Sequence, residues 1–182
     1  NIIAEWELRK NNHGIKVYTR DFSETAIKEF KAVSTVNASL EILSGVISEL
    51  EKYPSWLENC SSIDILEVSG TKKICYMVSE APWPFEDRDA VYTLNVIYNT
   101  PKLYGIELNA IPDYIEEKDG MVRIKESQGS WRLQYISSFE TKVTYRFFAD
   151  PEGDIPPWIL NLFIVDGPFK TIINLKKISK QQ

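Results

Sequence analysis

Histidine is nearly missing from this chain, and with it the chemistry that depends on an imidazole. The single histidine, His13, stands in Asn-Asn-His-Gly, a run of turn formers. A catalytic triad or an imidazole acid–base pair has nothing to build on. Cysteine is almost as scarce. Cys60 and Cys75 make no disulfide framework, match no zinc spacing and have no histidine beside them, so both read as buried or half-buried thiols. Neither a metal nor a cofactor is called for. An excess of basic residues is also lacking: 21 Lys and Arg against 26 Asp and Glu give a net charge of -5, which argues against a general nucleic-acid binder. No uncharged apolar run reaches the roughly 18 residues that a membrane-crossing helix needs, and a soluble protein is expected.

What is present suits one domain over residues 1–182, expected to be monomeric, with 43% hydrophobic residues to fill its core. The start at Asn1 rather than Met implies that a leader, tag or preceding segment was removed or lies outside this chain. A cleaved secretory signal is one such leader, so the reading leaves both a cytoplasmic and an extracytoplasmic location open.

Alternating patterns predict a hairpin from Trp6 and Leu8 through the 11–14 turn to 15–19, and a third strand over 27–35. Ser39 then caps a helix over 40–52, which Tyr53-Pro54 ends. Further strands follow at 63–68, 73–79, 88–98, 103–108, 121–127, 129–136 and 143–149. A long helix over 156–178 closes the chain, with Asp154 as its cap and Pro156 and Pro157 in its first turn. Short connections favour sequential antiparallel pairing, and the order of elements gives an α+β fold. A sheet of about nine twisted strands must curl, and the terminal helix, about 35 Å long, is the large apolar element available to fill the concave face. One helix leaves room for an internal cavity.

That helix carries Trp158, Phe163 and Phe169 on a broad apolar surface, interrupted by Asp166 and by Gly167-Pro168, which should kink or loosen it. The cluster Lys170, Lys176, Lys177 and Lys180 is read first as complementing the helix dipole; transient contact with an anionic membrane is the alternative. In residues 81–89, Pro82 and Pro84 hold Trp83 and Phe85 in a stiff loop, either a structural cap on the sheet or a rim over an opening. Counting by twos along the next strand puts Arg88 on the apolar face with Ala90, Tyr92, Leu94 and Val96. An inward arginine keeps its charge, so it calls for a buried carboxylate, with Asp166 and Glu107 as candidates, or for an anionic ligand group. Tyr76, Trp131, Tyr135, Tyr145 and Phe147 are expected on inner strand faces, forming either plain core or the lining of a lipid pocket.

Together, Pro-Trp-Pro-Phe-Glu-Asp-Arg-Asp, Gly129-x-Trp131 and the Asp-Pro-Glu-Gly-Asp-Ile-Pro-Pro-Trp run before a helix containing Gly167-Pro168 resemble a START domain, the StAR-related lipid-transfer module. The resemblance covers nearly the whole chain and is strongest to phosphatidylcholine-transfer-like members. It implies a helix-grip fold, in which a curved antiparallel sheet grips the C-terminal helix around a tunnel for one lipid or sterol. It also implies a carrier or sensor rather than an enzyme, with Arg88 reaching a lipid phosphate. On this reading Arg88, Tyr76, Tyr92, Trp131, Tyr135, Tyr145, Phe147, Phe163, Asp166 and Phe169 bind the ligand. Pro82, Trp83, Pro84, Phe85, Trp158, Gly167 and Pro168 belong to the gate. Ala81 stands where that subgroup commonly has tyrosine, which puts the head-group site in question. An aromatase/cyclase-like enzyme of the same superfamily is the alternative, and a closed core acting through its surface is a third reading.

Overall fold

The computed structural model describes residues 4–22 and 28–181. Ten strands form one sheet: β1 Glu7–Asn12, β2 Ile15–Asp21, β3 Lys28–Val36, β4 Cys60–Ser69, β5 Lys72–Ser79, β6 Asp87–Thr100, β7 Leu103–Ala110, β8 Met121–Arg123, β9 Ser127–Ser137 and β10 Glu140–Ala149. Along the sheet the order is β1-β2-β3-β10-β9-β7-β6-β5-β4. Neighbours on this path are antiparallel; short turns enforce this for the hairpins, whereas β3–β10 and β7–β9 pair across longer stretches of chain. Residue 27, expected to open the third strand, lies outside the described residues.

One strand departs from the antiparallel series expected from sequence, and both helices depart from their expected form. β8 is a short strand paired parallel to the start of β6, and the chain leaves extended pairing after Arg123 rather than continuing to residue 127. α1, Leu40–Ser48, starts under the Ser39 cap as expected, with the hydroxyl accepting from Ile42 N–H at 3.2 Å. It stops at Ser48, and residues 50–55 tighten into a 3₁₀ turn containing Pro54.

The terminal helix is segmented. α2 runs Pro157–Asn161, a π turn occupies Leu162–Asp166, and α3 runs Gly167–Ile178. Asp154 does not cap it: Pro156 holds the cap position without a side-chain bond, and the Pro156 carbonyl accepts from Ile159 and Leu160 N–H. The π turn follows from Pro168, which has no N–H for the carbonyl one turn back; the ladder slips there, and Gly167 N–H reaches Leu162 O.

The π turn and α3 pack on β2 and β3, whereas α1 packs on β7, β9 and β10. Between them lies the main core, which includes Ile15, Val17, Leu43, Ile47, Leu133, Val143, Ile172 and Leu175. A smaller cluster of Ile74, Tyr76, Val78 and Val91 forms on the convex face, where Ile111, Ile115 and Met121 cover it.

Candidate ligand cavity

A cavity of about 150 Å³ opens at one end of the curled sheet, where β5 ends and β6 begins. Phe30, Tyr92, Trp131, Tyr145 and Phe147 line it from the strands; Leu160, Phe163, Ile164, Gly167 and Pro168 line it from the terminal helix. Trp131 and Tyr145 are register partners across β9 and β10, and their rings stack at 4.0 Å with an interplanar angle of 2°. Phe30 meets Tyr145 edge-on at 5.0 Å, and Tyr92 meets Phe147 edge-on at 6.2 Å. The wall is therefore a continuous aromatic surface held by strand pairing.

Gly129 makes this wall possible. It pairs with Phe147 across β9 and β10, and a Cβ at Gly129 would collide with the Phe147 ring. Gly129→Ala should push that ring off its rotamer into the cavity, lowering stability by about 1–3 kcal/mol and shrinking the space. Thermal unfolding together with uptake of a fluorescent lipid measures both; an unaltered melting temperature would contradict the packing argument. Gly167 has a similar role on the helix side, where a Cβ would lie 2.9 Å from Leu162 O and 3.1 Å from Asn59 Nδ2.

Arg88 lines the cavity as its strand parity requires. Its partners are backbone carbonyls: Nε donates to Pro151 O at 3.1 Å, Nη1 to Glu86 O at 2.5 Å and Nη2 to Glu152 O at 3.3 Å. Burial lowers its pKa, and the nearby Glu86 and Asp87 charges oppose that shift. The carboxylates considered for it lie elsewhere. Asp166 pairs with Lys10 of β1 at 3.0 Å, and Glu107 is in register with Asn95 and Ser130 on the opposite face of the sheet.

The buried arginine–carboxylate pair forms instead between Arg123 and Asp89, on the convex face. Nε lies 2.9 Å from Oδ1 and Nη2 3.0 Å from Oδ2, while Tyr76 donates to Oδ2 at 2.9 Å. Burial alone would raise the Asp89 carboxyl, but the Arg123 and Tyr76 hydrogen bonds outweigh it and hold it below its ordinary value. Tyr76 is pushed up to about 12 by burial and by this bond.

Several expected site residues are therefore displaced from the cavity. Tyr76 faces the convex cluster because residues 111–124 cover that side of β5, making it apolar on both faces. Tyr135 lies at the far end of the sheet beneath Lys102, and Phe169 sits beneath Lys10, whose Nζ is 4.2 Å from its ring centroid. In the 82–85 loop, which contains a cis Trp83-Pro84 bond, Trp83 is 91% exposed; Trp158 at the start of α2 is 57% exposed. Pro82, Trp83, Pro84, Phe85 and Trp158 do not line the cavity.

The lining also includes residues that sequence reasoning passed over. Tyr53, Leu57 and Asn59 come from the connection between α1 and β4, Cys60 from the first position of β4, Ile124 from just after β8 and Phe148 from the end of β10. Asn59 is held at φ 64 beside Gly167, and Thr171 Oγ1 accepts from Glu58 N–H at 3.1 Å, joining this connection to α3. The signals in the sequence are Asn59, a residue type that tolerates a positive φ, and the segment's own apolar residues, Trp56 and Leu57.

A family model described as START domain matches residues 4–182. An uncharacterized protein of Pseudomonas aeruginosa is 28% identical over 183 residues, covering 100% of this chain and 91% of its own. The phosphatidylcholine transfer protein of Bos taurus is 26% identical over 169 residues, covering 90% of this chain and 79% of its own. A solved STAR-related lipid transfer protein from Xanthomonas axonopodis superposes with a TM-score of 0.85 at 30% identity, covering 97% and 99% of the two chains.

Proposed function

The chain belongs to the START domain family, and from that membership we propose that residues 1–182 act as one monomeric lipid carrier, binding a single lipid or sterol in the central cavity without catalysing a reaction on it. The observation that carries this reading is Arg88. A guanidinium has five N–H donors, and the described contacts use one each on Nε, Nη1 and Nη2. Nη1 and Nη2 each keep a second N–H, at the mouth of an apolar aromatic cavity and with no carboxylate paired to the charge among the described residues. A lipid with an anionic head group supplies the missing partner, and its chain covers the aromatic wall.

Ionisation favours a carrier over a cyclase-like enzyme. Burial pushes Cys60 and Cys75 up to about 12 and raises Tyr53, Tyr92 and Tyr145 as well, so at neutral pH these groups keep their protons. A thiolate nucleophile or a tyrosinate base is not on hand.

The cavity of about 150 Å³ is smaller than the ~300–1,000 Å³ usual for ligand pockets. Loading a whole lipid therefore needs a wall to move, and the wall interrupted by a π turn and a proline is the terminal helix. Trp83 and Trp158, exposed beside the mouth, are suited to brief contact with a bilayer as it opens. Native mass spectrometry of purified protein tests the reading: one bound lipid per chain is expected. Protein that carries none and fails to move labelled lipid between vesicles would sink it. Pro168→Ala should restore the helical register and slow lipid exchange several-fold; exchange at the original rate removes Pro168 from the gate.

A further inference from the structure

Opposite the cavity mouth, the ends of β6 and β9 and the turn joining β9 to β10 carry exposed apolar side chains. The placement follows from strand direction: β6 starts at the mouth near Arg88 and ends at Thr100, while β10 starts at Glu140 and ends at the mouth near Ala149. At this far end Phe139 is 78% exposed, and Ile97, Tyr98, Tyr135 and Ile136 are exposed with it. The register shift between Val96 and Tyr98 puts both Ile97 and Tyr98 over Gly105, where a Cβ would lie 2.8 Å from the Tyr98 ring.

Cations surround these groups. Lys102 Nζ sits 3.5 Å from the Tyr135 ring centroid, and the Arg132 guanidinium 5.6 Å from that of Tyr98. Lys142 is in register with Gln134, two residues nearer the start of β10 than Thr144, the partner of Arg132. None of the three pairs with a carboxylate among the described residues. Lys176 brings the C-terminal end of α3 to the same side, donating to His13 O in the β1–β2 turn at 3.1 Å. Glu140 is the acidic residue within the β9–β10 tip.

The mouth is richer in acid. Glu58 lines the cavity, and Glu80, Glu86, Asp87, Asp150, Glu152 and Asp154 flank it in sequence, against Arg88 and Lys28. In a chain of net charge -5, the basic residues at the hairpin tips thus form the end that an anionic surface attracts, and the mouth is the end that it repels.

We propose that the hairpin-tip end, with Phe139 and Ile136 as apolar prongs and Lys102, Arg132 and Lys142 around them, anchors the protein to anionic lipid bilayers while leaving the cavity mouth free. A bilayer interface supplies both partners that this end lacks, negative head groups for the cations and an apolar layer for the exposed apolar side chains. Phe139 lies on the β9–β10 turn and the other apolar residues lie on the ends of β6 and β9 beside it, not in a groove, which suits a deformable interface better than the flat face of an acidic protein. The anchoring requires no loaded cavity and is separable from lipid carriage.

Flotation of the full chain with phosphatidylcholine vesicles, alone or with roughly a third phosphatidylglycerol, tests the proposal. Wild type should float with the anionic vesicles only, and its binding should weaken as salt shortens the Debye length below about 10 Å. Phe139→Asp and the double variant Lys102→Glu/Arg132→Glu should each lose at least ~10-fold in binding. Leu8→Ala, an exposed apolar residue on the β1 edge, should bind anionic vesicles as well as wild type. Equal binding to neutral vesicles, hairpin-tip variants that float unchanged, or loss confined to Trp83→Ala at the mouth would overturn it. So would a dimer in sedimentation that Phe139→Asp dissociates, since the patch would then be covered by a second copy.

Discussion

Arg88→Gln should weaken binding of an anionic-headed lipid by roughly 10- to 100-fold while leaving the fold intact. The magnitude is that of a hydrogen bond to a charged group, ~1.5–3 kcal/mol, at about 1.4 kcal/mol per decade of affinity. The fold should survive because Arg88 is tied to the carbonyls of Glu86, Pro151 and Glu152, which water at the mouth can satisfy when the guanidinium is gone. Arg88→Lys keeps the charge but not the planar fork, so it should fall between wild type and Arg88→Gln. A sterol or fatty alcohol of similar apolar area, with no anionic head, should bind all three proteins equally. The informative quantity is the ratio of the two affinities, measured by displacement of a fluorescent lipid. A ratio unchanged by Arg88→Gln would mean that the guanidinium only braces the 150–152 segment.

The parity that placed Arg88 could be read from sequence because polar residues mark one face of β6: Ala90, Tyr92 and Leu94 are in the main core, Thr93 and Asn95 are not, and Val91 breaks the apolar alternation by joining the convex cluster. The same counting fails one strand away. β5 reads Ile-Cys-Tyr-Met-Val, apolar at every position, and nothing local says which face is concave. The answer depends on residues 111–124, which fold over the convex side and put Tyr76 in a second cluster while Cys75 and Met77 join the main core. Asp89, on the opposite face from Arg88 by the same counting, is likewise buried beneath this cover. Its partner Arg123 lies 34 positions away and reaches it through a short parallel pairing that hairpin logic does not anticipate. Asp166 was legible as a break in an apolar stripe, but its partner Lys10 is 156 positions distant, at the other end of the chain. Pairing across such separations is set by which layers meet, and single-strand periodicity carries no record of it.

Arg123→Leu is expected to have the largest effect on stability, about 3–5 kcal/mol, because it strands the Asp89 carboxylate in a site where the two side chains are 1% and 0% exposed. Arg123 also donates to the carbonyls of Pro112 at 2.6 Å, Ile115 at 3.0 Å and Glu116 at 3.2 Å, so with Asp89 all five of its N–H groups are occupied. That decides what a compensating change can do. Asp89→Asn in the Arg123→Leu background removes the orphaned charge but not the need of those carbonyls, so it should recover only part of the loss. The pH dependence has a fixed sign. The folded Asp89 carboxyl lies below its unfolded value, so its contribution is complete above about pH 5, falls as pH drops through the unfolded value near ~3.9, and is lost below the folded one. Asp89→Asn alone should therefore be less stable than wild type at neutral pH yet lose less on acidification. Parallel acid-unfolding curves would show that the pair contributes no such linkage. Because β8 is held to β6 at Asp87, Arg88 and Asp89, loosening this pin also loosens the strand end that presents Arg88 to the cavity. Arg123→Leu should accordingly weaken lipid retention under conditions where the protein is still folded, although Arg123 itself does not line the cavity.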